Sequence, residues 1–144
     1  MGELKRRLQR LNLQTLQNQT KEIILQDQEI LRRKKAELKA GIRPDGSIIG
    51  TYRSEEYRLF KIQMNPLAGG NVDLILTGST KDKMYIVALE NGEFTIESAD
   101  PKWADLVAKY GEEIKGINLE VFKGMQKSRH APKLIQEMKR ISQL

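Results

Sequence analysis

An α+β fold is predicted for this chain: a long N-terminal helix, a small antiparallel β-sheet with a hairpin, and short C-terminal helices. Three observations predict it. Residues 3–40 contain neither Pro nor Gly and are dominated by Gln, Leu, Lys, Arg and Glu, all good helix formers. Asn91-Gly92 separates the apolar run Met84-Tyr85-Ile86-Val87-Ala88-Leu89 from Phe94-Thr95-Ile96, a strong hairpin signal. Beyond Pro101 the apolar residues return to helical spacing.

Within the N-terminal segment, Leu4, Leu8 and Leu11 share one helical spacing. Leu16, Thr20, Ile23, Ile24, Ile30, Leu31, Lys34 and Leu38 continue it after a slip of register near residues 12–15. A short basic helix, a break with Asn12 or Thr15 as cap, and a longer helix ending before Gly41 are therefore expected. Gly41 takes the left-handed position after a helix, and Lys34, Lys35 and Lys39 suit the negative end of its dipole.

The middle reads as β-rich. Residues 47–52, 57–64 and 72–77 are strand candidates, the third the better one, and the second could begin as a helix. Strands are expected at 84–90 and 93–98, with Phe94 and Ile96 on one face. Asp100 or Ser98 caps a helix over residues 100–110, whose apolar face is Trp103, Leu106, Val107 and Tyr110. A turn or short helical piece follows at 112–116. Residues 131–144 form a short basic helix with Leu134, Ile135, Met138 and Ile141 on one side. The resulting division is a helical arm (1–40), an α+β core (41–122) and a basic C-terminal helix (123–144).

Charge is unevenly placed. Residues 1–43 hold 11 Lys/Arg against 5 Asp/Glu, residues 44–122 hold 8 against 13, and residues 123–144 hold 6 against 1. Two readings follow: neighbouring parts or copies complement one another, or the basic ends face an anionic partner such as nucleic acid. Cys is absent, so thiol chemistry and Cys-based zinc sites are excluded, and His130 is the sole histidine. No apolar run approaches the roughly 20 residues of a membrane span, and the N-terminus lacks a signal-peptide core. Folding in a cytoplasm is expected.

No catalytic constellation emerges, and no catalytic, cofactor-binding or metal-ligating residue is assigned. Asp45-Gly46 lacks the ligand ladder of a calcium loop, and Gly69-Gly70-Asn71 lacks the Lys and spacing of a phosphate loop. Both read as turns. Asp73, Asp82, Glu90, Glu93 and Glu97 are scattered rather than paired, Ser79 has no nearby base, and His130 reads as a solvated loop residue. Lys5-Arg6-Arg7 with Arg10, and Arg32-Arg33-Lys34-Lys35, form basic clusters without interleaved aromatics, which disfavours a base-stacking platform. Phosphate contact and solvated faces both remain open for them.

From Leu38 onward a longer pattern stands out: Gly41, Asp45-Gly46, Ile49-Gly50, Tyr52, Tyr57, Lys61, Asn65-Pro66, Val72-Asp73-Leu74 and Leu76-Thr77-Gly78. Phe94, Ile96, Ser98, Asp100, Lys102, Leu106, Lys109-Tyr110-Gly111, Ile114, Gly116 and Leu119 continue it, and Leu11-Asn12-Leu13 fits upstream. In order and spacing this resembles a small protein family encoded by tailed bacteriophages and prophages of Bacteroidota hosts. The chain departs from it at Thr77-Gly78-Ser79-Thr80, where an acidic residue and an aromatic are expected after the glycine. The resemblance implies a virion structural subunit without enzymatic activity or cofactor: a head–tail connector, neck or tail-completion component. It also implies assembly with copies of itself into a ring, with portal or tail virion proteins as partners. The alternative is a DNA-binding or genome-packaging accessory protein using its basic termini.

Overall fold

The computed structural model describes residues 2–9, 12–74, 79–89 and 93–142. The architecture is mixed α+β, helices around one two-stranded antiparallel sheet. The chain opens with three helices in succession: α1 (Gly2–Gln9), α2 (Leu13–Leu25) and α3 (Gln28–Lys39). Asn12 caps α2, its side-chain oxygen accepting from the Thr15 backbone N–H at 2.8 Å. The long N-terminal helix expected from composition is not present, because the chain breaks again at Asp27. There the carboxylate accepts from the Glu29 backbone N–H at 3.0 Å and caps α3. A short acidic side chain thus supplies in mid-segment the alternative to helical hydrogen bonding that Gly or Pro would signal more openly.

Helix α3 ends at Gly41, with φ of +73°. A Cβ there would sit 2.8 Å from the Val72 backbone oxygen. Gly41→Ala is therefore expected to destabilise the protein by about 1–3 kcal/mol, through strain and backbone collision together. Urea unfolding measures it, and an unchanged midpoint would refute the assignment.

After Gly41 the chain runs through loops pinned by two isolated bridges, Ile42 with Ile48 and Thr51 with Asn71. The strands expected at 47–52 and 57–64 are replaced by these bridges and by helix α4 (Glu55–Met64). Ser54 accepts from the Tyr57 backbone N–H at 3.2 Å, Glu55 and Glu56 occupy the positive end of the dipole, and Asn65-Pro66 stops the helix. Pro66–Ala68 forms one 3₁₀ turn. Val72 and Leu74 are buried without forming a strand, their N–H groups donating to the Gly50 and Leu38 oxygens; residues 75–77 lie outside the described set.

A short helix, α5 (Ser79–Asp82), leads into β1 (Met84–Ala88), which pairs antiparallel with β2 (Phe94–Ser98). The register sets Ile86 opposite Ile96 and Met84 opposite Ser98. The hairpin is as expected; its Asn91-Gly92 turn lies outside the described residues.

Helix α6 (Lys102–Tyr110) begins where the Asp100 carboxylate accepts from the Lys102 backbone N–H at 3.1 Å, and a 3₁₀ turn, Glu112–Lys115, follows. Asn118 caps α7 (Leu119–Met125), which passes through a π turn, Gln126–His130, into α8 (Ala131–Ser142). The loop expected around His130 is thus part of a helical rod. Pro132 cannot donate to the carbonyl four residues back, and the widened π turn before it accommodates that loss. The core gathers Ile30, Leu38, Val72, Ile96, Trp103 and Ile114, so α3, the hairpin and α6 share one apolar centre.

Candidate functional site

Helix α4 buries none of its residues. Tyr57, Phe60 and Met64 follow i, i+3, i+7 spacing, and Leu67 extends the row into the next turn. They are 47, 53, 68 and 70% exposed respectively. Tyr57 is held from the side by Tyr52, edge-on at 5.0 Å, and lies 6.1 Å from the Phe60 ring. The result is an ordered apolar strip on the outside of the molecule.

Beneath the strip sits a polar anchor. Lys61 donates to one Asp73 oxygen at 2.8 Å, and the Asn65 side-chain amide donates to the other at 2.8 Å and to the Lys39 carbonyl at 2.7 Å. Burial disfavours the Lys61 ammonium, but the hydrogen bond and charge of Asp73 carry its pKa above the usual lysine value. Burial raises the Tyr52 phenol nearby. This anchor ties the end of α4 to the end of α3 and to the segment that crosses them. Among the residues of the motif series that starts at Leu38, Tyr52, Tyr57, Lys61, Asn65 and Asp73 thus come together, and they serve to shape and hold α4.

A second buried cluster joins the two ends of the chain. Asp27 accepts from Arg129 at 2.9 and 3.2 Å and from His130 Nε2 at 2.7 Å. Burial alone would raise the Asp27 pKa; hydrogen bonds from Arg129, His130 and the Glu29 backbone, with the Arg129 charge, bring it down to about 2. His130 is buried, its Nδ1 without a partner among the described residues, and its ring lies 5.7 Å from Phe122. The expectation of a solvated histidine is overturned: the π turn aims the ring inward at a carboxylate 103 residues away.

The basic run at 32–35 is largely occupied. Arg32 and Arg33 bond Glu29 at 2.7 and 3.0 Å, Arg32's bond being the leading cause that holds the Glu29 pKa near 2. Lys34 is fully buried and donates to Glu37 at 2.7 Å. Of the scattered acids, Glu97 accepts from Trp103 Nε1 and pairs with Lys115, while Glu90 lies outside the described residues. Among the described residues no three His, Cys, Asp or Glu stand close enough to hold a metal, and no helix is long and apolar enough to cross a membrane.

Asp27, and the pairing of Lys34 with Glu37, escaped the linear reading. Lys34 did carry a signal: it occupies a position on the apolar line through Ile30 and Leu38, with an acid three residues on. Nothing comparable marks Asp27, whose partners lie at the other end of the chain. No family model matches the chain, and neither a curated protein nor a solved structure matches it.

Proposed function

We propose that this chain is a non-catalytic structural subunit of a tailed-phage particle, a head–tail connector, neck or tail-completion component that assembles into a ring. The observation that carries the reading is the open strip of Tyr57, Phe60, Met64 and Leu67 on α4. The resemblance of the ordered motifs to a tailed-phage family suggests the biological setting, and those motifs include the residues that anchor α4. A second copy of the chain is the proposed occupant. In a ring each copy offers one surface to the neighbour ahead and another to the neighbour behind, so the strip needs no match to itself. Covering a half-exposed side chain of this size contributes about 1 kcal/mol, so the strip supplies part of such a contact and the flanking loops the rest.

Light scattering coupled to gel filtration tests it. A discrete oligomer is expected, either alone or on addition of portal or tail proteins. Phe60→Asp with Met64→Asp is expected to shift the chain to monomer while leaving its circular dichroism unchanged. A monomer that stays monomeric with those partners, or an oligomer indifferent to the double substitution, would overturn the reading.

A further inference from the structure

We propose that α1 and α8, from opposite ends of the chain, form one composite face that grips the phosphate backbone of duplex DNA without reading its sequence. The two helices pack against each other, and α8 also packs on α2. Each carries three Lys/Arg against one Glu: Lys5, Arg6 and Arg7 with Glu3, and Lys133, Lys139 and Arg140 with Glu137. Folding thereby brings two basic helices from opposite ends of the chain together.

Lys5, Lys133 and Lys139 are exposed and form no ion pair among the described residues. Arg6 and Arg140 meet Glu3 and Glu137 at 2.6 and 2.9 Å, in exposed i, i+3 pairs that contribute little and can be exchanged for phosphate. Lys133 and Arg140 stand two turns apart on the same side of α8, separated by about 10.5 Å along the axis. The helix as a whole is about 18 Å long, the span of roughly five base pairs. Glu22 of α2 lines the same surface cleft as Lys133 and Glu137.

Other partners and other surfaces fit less well. Neither helix carries an aromatic residue, so stacking on single-stranded bases has no platform. Leu134, Met138 and Ile141 are half-buried rather than open, which removes most of the apolar face a membrane would need, although Ile135 is exposed. Of the basic groups of α3 and the π turn, Lys34 is held by Glu37 and Arg129 by Asp27, and Arg32 and Arg33 share one carboxylate, Glu29. The pairing of α1 with α8 places two basic helices side by side, in a different part of the fold from the α4 strip.

The test is fluorescence anisotropy of the full chain with two unrelated 30-base-pair duplexes at 50 and 200 mM salt. The two sequences are expected to bind equally. Five phosphate contacts give a log–log salt slope of about −4.5, so affinity should fall by about 500-fold across that range. Lys133→Glu with Lys139→Glu should weaken binding at least tenfold without altering circular dichroism, whereas Lys83→Glu with Lys102→Glu, away from this face, should not. No binding at 50 mM salt, equal loss in both variants, or no loss in the first would overturn the proposal. So would capture by phosphatidylglycerol vesicles in place of DNA. A monomer that binds DNA would keep this face and refute the ring, so the two readings fail separately.

Discussion

Replacing Glu37 by alanine is expected to lower stability by about 3–5 kcal/mol, the usual consequence of stranding one member of a buried ion pair. Lys34 has no exposed surface, and its ammonium donates to Glu37 at 2.7 Å. Without that carboxylate the ammonium must stay charged in an apolar setting or give up its proton. Domains of this size are stable by only about 5–15 kcal/mol, so the loss is a large fraction of the total. Burial already lowers the Lys34 pKa below its ordinary 10.5, with Glu37 opposing the shift. In that state the folded protein binds fewer protons than the unfolded chain, so this group's contribution rises with pH toward 10.5. Glu37→Ala removes the opposing charge, and the variant should recover part of its deficit as pH rises. Lys34→Met combined with Glu37→Met should restore all but about 1 kcal/mol, the remainder being the Asn118 backbone N–H that now donates to Glu37 at 3.3 Å. Urea titrations from pH 7 to 10 measure all three. A single-variant loss under 1 kcal/mol would show that the buried pair is not the constraint described.

The second large effect is expected at Asp27. Asp27→Ala removes the cap of α3 and the partner of buried His130 at once, for a loss of about 2–3 kcal/mol; Arg129 can turn to solvent. The acid limb gives a sharper readout. The folded-state pKa of about 2 lies below the ordinary 3.8, so the stabilisation is complete above pH 3.8 and disappears as pH falls through about 2. Over that window Asp27 accounts for about 2 kcal/mol, at 1.36 kcal/mol per pKa unit. Asp27→Asn should keep the cap and flatten the limb by that amount. An acid limb identical to that of the parent chain would remove Asp27 from the account.

The elements that were legible in the sequence are those whose signals are local. Asn12 caps α2 by bonding three residues ahead, and Gly41 meets a left-handed turn that other residues enter only with strain. Strand β2 alternates apolar and polar side chains, and Trp103 with Val107 marks the inner face of α6. Where the reading failed, local signals were balanced. Residues 57–64 mix Tyr, Leu, Phe and Ile with Arg, Lys and Gln, and Ser54 with Glu55 and Glu56 tipped them to helix. In the N-terminal segment a run of helix formers concealed a break, because Asp27 is an ordinary solvated residue by composition.

By itself the sequence determined the α+β class, the caps at Asn12 and Asp100, the turns at Asp45-Gly46 and Gly69-Gly70, and the acidic middle between basic ends. Those follow from backbone preferences and spacing along a few residues, which need no distant partner. Only the tertiary structure decided that His130 and Lys34 are buried, that Asp73 binds Lys61 and Asn65, that α4 shows its apolar side to the outside, and that the two basic ends meet. Each depends on groups separated by many residues, and the favourable state of a charge or an apolar face is set by what surrounds it in space.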